Sequence, residues 1–212
     1  MVDQCPAPSG PAPPHWETID EPLLEEIYAA DQAIYPAPLL TRQRLRSWAD
    51  ACPDFCIRLS RRDPAASETA TQGMIIVLPV VEACWERLIV GDLKEHDVDP
   101  VGMFPPDRSV GRDSEVRVGL HVFHIERYSS SFARQGGRTP GFAQDALEEV
   151  RSRVRDRFPS WSVVGYSALT ATPQGNRAFK RVGFTSRYVE TKSDGEEAEM
   201  LVREGNEAFI SL

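Results

Sequence analysis

The chain has 212 residues, 41% of them hydrophobic, which suits one compact domain with a sizeable core. Its formal net charge of -8 argues against nucleic-acid binding, which normally needs a basic face. The sequence has no run of about 18 apolar residues and its first residues do not form a secretory signal pattern, so we expect a soluble, cytoplasmic protein with no membrane contact.

The first part of the chain predicts a tail and two helices. Five prolines among residues 1–14 predict a disordered tail, which we place at residues 1–16, ahead of a single domain at residues 17–212. Apolar residues between positions 23 and 34 then recur at helical spacing. A second short helix is expected to start near Thr41.

The next part predicts a hairpin and a lid. Residues 55–59 and 74–81 are typical of strands, and the polar stretch between them is typical of a hairpin loop. A short amphipathic helix follows around Trp85, and then a long proline-containing loop that could close over a site. From Asp92 to Glu115 there are seven acidic and three basic residues, which either form a solvated surface or attract a cationic amine.

The rest of the chain alternates strands and helices. Residues 116–128 are rich in β-branched and aromatic side chains and predict a strand. A helix at 142–158, a strand at 163–169, a helix at 173–182 and a hairpin built from 184–189 and 200–203 follow. This order predicts a mixed α/β fold with at least one parallel crossover. An exposed edge of the last hairpin could pair with a second copy to form a homodimer.

Two helix starts share a local design. Thr139-Pro140 and Thr172-Pro173 each place an N-cap hydroxyl before a proline at the first helical position. Glycines flank the first of these starts, which gives free amides at the positive end of a helix. Such a turn can hold a phosphate, although a plain loop and cap would have the same pattern.

Two motifs around these starts resemble a known family. Arg138-x-x-Gly141-x-Ala143 resembles the Gln/Arg-x-x-Gly-x-Gly/Ala pyrophosphate loop of the GNAT superfamily of acyl-coenzyme A dependent N-acyltransferases. The segment 178–184, Ala-Phe-Lys-Arg-Val-Gly-Phe, resembles the helix and Gly-Phe ending that follow the fifth strand of that family. The order of elements over about residues 20–204 is similar too.

The resemblance implies a mixed central β-sheet flanked by helices, with a cofactor-binding core made of the fourth strand, third helix, fifth strand and fourth helix. The fourth and fifth strands would splay apart around the pantetheine arm. Acetyl-CoA or another acyl-CoA would be the co-substrate, a small and cationic amine would attack it directly, and no metal would take part. The cofactor-binding residues that it implies are Ile125, Arg127, Gly136, Gly137, Arg138, Gly141, Phe142, Ala143, Thr172, Asn176 and Phe179.

The strand at 116–128 carries the candidate catalytic residues. Simple alternation puts His124 and Glu126 on one side and His121 on the other, which disfavours a metal site built from all three. Glu126 is the better candidate for the base that takes the amine proton, with His124 beside it. Each also has a structural alternative: Glu126 could pair with Arg127, Arg134 or Arg138, and both histidines could be satisfied core residues.

Phe179 departs from the family pattern. Many relatives have a tyrosine at this position, four residues before Gly183, which is thought to protonate the leaving thiolate, and phenylalanine cannot do so. Tyr166, Tyr188 or solvent could replace it. The alternative function is a catalytically silent module that keeps a coenzyme A site. A hydrolase that uses His124 with Ser129 or Ser130 has no nucleophile motif in its support.

Overall fold

A mixed seven-stranded sheet forms the centre of the protein. The computed structural model describes residues 13–34, 40–62, 69–106, 115–128, 141–191, 195 and 197–205. The strands follow the order β1-β2-β3-β4-β5-β7-β6, with β4 and β5 parallel and the other neighbours antiparallel. Their bounds are β1 (His15–Thr18), β2 (Cys56–Arg62), β3 (Thr69–Val81), β4 (Val116–Arg127), β5 (Trp161–Thr170), β6 (Thr185–Thr191) and β7 (Glu197–Glu204). The predicted mixed α/β architecture is confirmed.

Five of the six α-helices of the described residues occur near their predicted places, and the sixth, a short turn, lies in the segment predicted as a loop. They are α1 (Glu21–Ile34), α2 (Arg42–Ala51), α3 (Glu82–Val90), the short turn α4 (Pro100–Met103), α5 (Phe142–Arg157) and α6 (Pro173–Arg181). The N-cap of α6 is Thr172, whose hydroxyl accepts a hydrogen bond from the amide of Gly175 at 3.2 Å, as Thr172-Pro173 predicts. No helix in the described ranges is long and apolar enough to cross a membrane.

Two predicted boundaries are wrong. His15 and Trp16 do not belong to the tail, because they are part of β1 and pair with Ser60 and Leu59 of β2. The Trp16 ring also stacks on the Phe142 ring, with 5.9 Å between the ring centroids. The helix predicted to start at Thr139-Pro140 starts at Phe142 instead. Its N-cap is Gly141, whose backbone is still extended (φ -61°, ψ 139°) and whose carbonyl accepts the amide of Gln144 at 2.7 Å. A Thr-Pro pair therefore did not fix this start.

Helices α3 and α5 cover opposite faces of the sheet. A Cβ added at Gly73 of β3 would touch the ring of Phe142 on α5, and one added at Gly119 of β4 would touch Trp85 on α3. Gly119 pairs with Val80, and Gly73 and Val80 point to opposite sides of β3 because side chains alternate along a strand. We call the two sides the α3 face and the α5 face.

The segment between β3 and β4 contributes buried residues to the core as far as Phe104. Leu93, Val98 and Phe104 are buried, and Trp48 of α2 donates its indole hydrogen to the carbonyl of Val98 at 2.8 Å. These apolar residues anchor the described part of this segment to the core, and its role as a substrate lid stays a prediction. Residues 107–114 lie outside the described residues.

Candidate active site at the fork of β4 and β5

The strands β4 and β5 separate at one end. Their ladder starts at Val116 and Trp161 and ends at the pair Val122 and Ala168. Beyond that pair β4 stays bonded to β3 as far as Arg127, and β5 stays bonded to β7. In the part of the chain that the structure describes, the two facing edges beyond this pair have no ladder partner. We call this opening the fork, and it has the splay that the resemblance implies.

A β-bulge in β4 lies at the start of the fork. Val77 of β3 pairs with Val122, but the next residue of β3, Ile76, pairs with His124, so Phe123 is an extra residue. An extra residue in one strand shifts the alternation of all side chains beyond it. The sequence alone gave no sign of this bulge, because it depends on the pairing with β3.

The bulge brings three polar residues of β4 to the same face. His121 pairs with Leu78, His124 with Ile76 and Glu126 with Met74. These three β3 residues all point to the α3 face, since they are two positions apart and β3 is regular there. The prediction that His121 points away from His124 and Glu126 is therefore wrong. His124 and Glu126 do share a face, as predicted.

His124 and Glu126 form a contact at the fork. Nε2 of His124 lies 3.5 Å from Oε2 of Glu126, and the side chains are 18% and 43% exposed. The imidazole of His124 holds the pKa of the Glu126 carboxyl below its usual value, against the opposing effect of partial burial. Glu126 is thus an ionised carboxylate that solvent reaches, which is the state that a proton acceptor needs.

The alternative pairing of Glu126 with Arg127 does not form. Arg127 pairs with Gly73 and so points to the α5 face, where its charge acts on Asp145 of α5. Arg134 and Arg138, the other two alternative partners, lie outside the described residues.

His121 belongs to a second polar cluster on the α3 face. Its Nδ1 lies 2.8 Å from Oγ of Ser167 on β5, and its Nε2 lies 2.6 Å from Oε1 of Glu95. Ser167 also accepts a hydrogen bond from the indole nitrogen of Trp85 at 2.9 Å. His121 and Ser167 are fully buried, and the Glu95 side chain is 13% exposed. We call Trp85, Ser167, His121 and Glu95 the buried chain.

Sequence reasoning missed Ser167 and Glu95. They lie 46 and 26 residues away from His121, so no local motif connects them. The one signal was a histidine inside an apolar strand, since a buried ionisable side chain requires polar partners. The alternative of a satisfied core histidine is confirmed, because His121 is buried and hydrogen-bonded at both ring nitrogens. Only its predicted face is wrong, since it lies on the α3 face.

The predicted cofactor residues of β4 and α5 lie beside the fork. Ile125 and Arg127 are on the β4 edge that has no partner from β5 in the described residues. Gly141 is the N-cap residue of α5, and it has no side chain that could accept a hydrogen bond from the first amides of the helix. The first amides, which include those of Phe142 and Ala143, therefore lack the usual side-chain cap. The half-buried Phe142 ring packs on Trp16. Gly136, Gly137 and Arg138 lie outside the described residues.

The predicted cofactor residues of α6 are engaged in the fold. Thr172 caps the helix, and the amino group of Asn176 donates to Oγ1 of Thr170 at 3.2 Å and to the Glu199 carboxylate. Phe179 is buried and packs edge-on against Phe184 at 5.0 Å. The predicted contact of Phe179 with the cofactor has no support from this position, because its ring is inside the core.

Neither tyrosine that could replace Phe179 as a proton donor is well suited. Burial raises the pKa of Tyr166 to about 12, and burial with the charges of Glu190 and Glu95 raises the pKa of Tyr188 to about 12. Tyr166 pairs with Leu120, which points to the α5 face, away from Glu126. Within the described residues, no group of three His, Cys, Asp or Glu side chains is placed to hold a metal ion.

Solved structures share this architecture. Arabidopsis thaliana NAA60 in complex with acetyl-CoA superposes with a TM-score of 0.54 at 13% identity, covering 92% of this chain and 100% of that one. The chain has the GNAT fold.

Two further solved structures match this fold with similar TM-scores. One is the NatC complex bound to Gag peptide and CoA, with a TM-score of 0.52 at 12% identity, covering 90% of this chain and 98% of that one. The other is FeeM, an N-acyl amino acid synthase from uncultured soil microbes, with a TM-score of 0.51 at 7% identity, covering 92% of this chain and 93% of that one. At these low sequence identities, the structural similarity establishes the fold alone. No protein-family model and no curated protein matches the sequence.

Proposed function

We propose that the protein is a GNAT-type N-acyltransferase that moves an acetyl or other short acyl group from acyl-CoA to an amine by direct attack. The observation that carries the proposal is the β4 bulge. It turns the ionised Glu126 and His124, which already share a side of the strand, to the α3 face beside the point where β4 and β5 separate. The proteins of this fold named above include complexes with acetyl-CoA and with CoA.

The open edge of β4 provides the acyl site. Backbone groups of residues 123–127 on the fork side can pair with the pantetheine arm, as a strand edge pairs with any extended chain. An amide from the same edge can donate to the thioester carbonyl and stabilise the oxyanion that forms on attack. The diphosphate would lie at the start of α5, on the amides of Phe142 and Ala143, which no side chain of the N-cap residue bonds, and on the predicted Gly136, Gly137 and Arg138.

Glu126 is the proton acceptor of the reaction. An amine arrives as an ammonium ion and must lose one proton before its nitrogen can attack. The Glu126 carboxylate takes that proton, directly or through a water molecule, and the nitrogen then adds to the thioester carbon. The carbon–sulfur bond breaks as the carbonyl re-forms, which releases the amide and the thiolate.

The acceptor would be a small cationic amine, because the whole chain is acidic and an acidic surface steers cations. NatC binds the Gag peptide, and FeeM makes N-acyl amino acids, so peptide N-termini and amino acids are further acceptors to test. A cytoplasmic location and a homodimer formed through the edge strand β6 remain predictions.

The test is thiol release from acetyl-CoA in the presence of a diamine, an amino acid or a short peptide with a free N-terminus. Replacing Glu126 with Gln should lower the rate about 100-fold or more while acetyl-CoA binding is retained, because only the proton acceptor is lost. Glu197→Gln, at an exposed carboxylate on β7, is the matched control and should not change the rate. An equal rate in Glu126→Gln would exclude Glu126 as the base.

The second candidate function, a silent module with a coenzyme A site, is favoured by the buried Phe179 in place of a proton donor. It predicts acetyl-CoA binding without thiol release for every amine tested.

A further inference from the structure

The fork narrows to a closed end at the pair Val122 and Ala168. These two residues end the β4–β5 ladder, and both are buried. Alternation puts their side chains on the α5 face, opposite the buried chain. The next residue of each strand, Phe123 on β4 and Leu169 on β5, is apolar but only half-buried, and in the described residues neither has a ladder partner across the fork. These two side chains are the first ones beyond the closed end.

The bulge turns the Phe123 ring to the α3 face. Its centroid lies 4.9 Å from that of Trp48, in an edge-on contact, and 6.4 Å from that of His124. Trp48 is on this face, because its indole bonds the carbonyl of Val98 in the segment that also bonds the buried chain. Phe123 and His124 are consecutive and still share a face, which alternation without the bulge would not allow. Leu169 points to the α3 face too, by alternation along β5.

Trp48 holds the Phe123 ring in place from behind. The Trp48 side chain is fully buried, and its one polar group is bonded to Val98 at 2.8 Å. A large side chain in a close-packed core, with its polar group satisfied, has little room to move aside. The Phe123 ring therefore cannot swing towards α2 to make space, and it forms a fixed wall at the closed end of the fork.

The acyl group of the substrate points at this wall, on the proposed acyltransferase function, on which this inference rests. The start of α5 lies at the open end of the fork, because the Phe142 ring touches Gly73, the β3 partner of the last β4 residue. A pantetheine arm that runs inward from there brings its thioester in last. Its sulfur is on the open side and its oxygen faces a β4 amide, so the alkyl chain points to the closed end. Buried Val122 and Ala168 fill the α5 side of that end, which leaves the side of Phe123.

We propose that Phe123 is a specificity-determining residue that limits the acyl group to a short chain, acetyl or propionyl. A longer straight chain would have to displace the Phe123 ring from Trp48 or turn back towards the open end. An apolar pocket discriminates by about tenfold or more for each methylene that it cannot hold. The bulge residue thus has two effects: it turns Glu126 to the α3 face, and its own ring sets the length of the acyl chain that is transferred there.

Calorimetric titration of the full chain with acetyl-CoA and hexanoyl-CoA tests this size limit without requiring an amine. The wild type should bind hexanoyl-CoA about tenfold or more weakly than acetyl-CoA, because the longer chain meets the Phe123 ring. In Phe123→Ala the ratio of the two dissociation constants should fall close to one, because the space of the ring becomes available to the chain. Equal affinities in the wild type, or a ratio that Phe123→Ala leaves unchanged, would overturn the proposal.

Phe158→Ala is the matched control. Phe158 is also a half-buried phenylalanine with an aromatic neighbour, 4.1 Å from Trp161 between ring centroids, but it lies at the opposite end of the β4–β5 ladder. Its loss should lower thermal stability, as loss of Phe123 does, and leave the ratio of affinities as in the wild type. Leu169→Ala, on the facing wall, should also lower the ratio, and it gives the test a second variant if Phe123→Ala does not fold. A ratio that falls equally in Phe158→Ala would overturn the proposal.

Titration with unacylated coenzyme A separates the two proposals. If neither coenzyme A nor any acyl-CoA binds, the acyltransferase function falls and takes this inference with it. If coenzyme A and both thioesters bind the wild type with the same affinity, only the size limit falls. With an amine that supports thiol release, the ratio of kcat/KM for hexanoyl-CoA to that for acetyl-CoA should rise at least about tenfold in Phe123→Ala, and an unchanged ratio would contradict the role of Phe123.

Discussion

Glu126 and His124 owe their place on the α3 face to one extra residue in β4. Without Phe123 as a bulge, the alternation of the strand would carry His124 and Glu126 to the face opposite His121. With it, all three point to the α3 face, and Glu126 remains an exposed, ionised carboxylate at the fork. The sequence alone was enough to choose His121, His124 and Glu126 as candidates, because ionisable side chains are unusual in an apolar run. The sequence also predicted the common face of His124 and Glu126, but it could not show that His121 shares this face.

His124→Leu should move the acid limb of the pH–rate profile to higher pH. His124 holds the pKa of Glu126 below its usual value, so its removal lets that pKa rise, and the carboxylate is then protonated earlier as the pH falls. Thiol release measured from acidic to neutral pH would show this. A profile that keeps its acid limb in place would mean that another group controls it.

Glu199 gives the protein a pH-dependent contribution to stability. Hydrogen bonds from Ser186, Lys180 and Asn176 lower its pKa from 4.5 to about 2. Because the folded-state pKa is lower than the unfolded one, the contribution is fully present above pH 4.5 and is lost as the pH falls towards 2. Glu199→Gln should therefore cost on the order of 1 kcal/mol at neutral pH, limited by solvent around Lys180. Urea unfolding at both pH values should show the difference disappear in acid, and an equal difference at both would contradict this.

At the scale of elements, local signals fixed most helices and strands but not their ends. Thr172-Pro173 started α6 as predicted because the cap and the proline act within one turn. The same pair at Thr139-Pro140 did not start α5, whose first residue packs on Trp16 of β1, far away in sequence. The bulge of β4 and the end of its ladder with β5 likewise depend on neighbouring strands.

Helix α3 and the sheet meet so closely that a single methyl group should disturb them. A Cβ at Gly119 would lie 2.0 Å from the Trp85 ring, and one at Gly165 would lie 2.5 Å from it. Gly119→Ala should destabilise the fold by at least about 1–3 kcal/mol, which is the range for an overpacked core. Trp85→Leu should relieve the clash, so the double variant should lose less than the sum of the single losses. Additive losses in thermal unfolding would contradict the contact.

At the scale of the whole molecule, the sequence allowed the fold class to be predicted and left the site incomplete. The order of strands and helices and two short motifs sufficed for the GNAT fold, because a right-handed crossover between parallel strands leaves few alternatives. The acidic residues and prolines of the segment between β3 and β4 predict a lid. Its buried Leu93 and Val98, and the contact of Glu95 with His121, show that it contributes to the core and to the site.

Binding of acetyl-CoA is the property that the proposed function requires first. Calorimetric titration of the full chain should give micromolar binding, and Arg138→Glu should weaken it, because the change reverses a charge in the predicted pyrophosphate loop. Arg155→Glu, at the other end of α5 where Arg155 pairs with Asp156, is the matched control and should bind as the wild type does. If the titration detects no binding heat with acetyl-CoA or with any other acyl-CoA, the proposed acyltransferase function is contradicted and only the GNAT fold is retained.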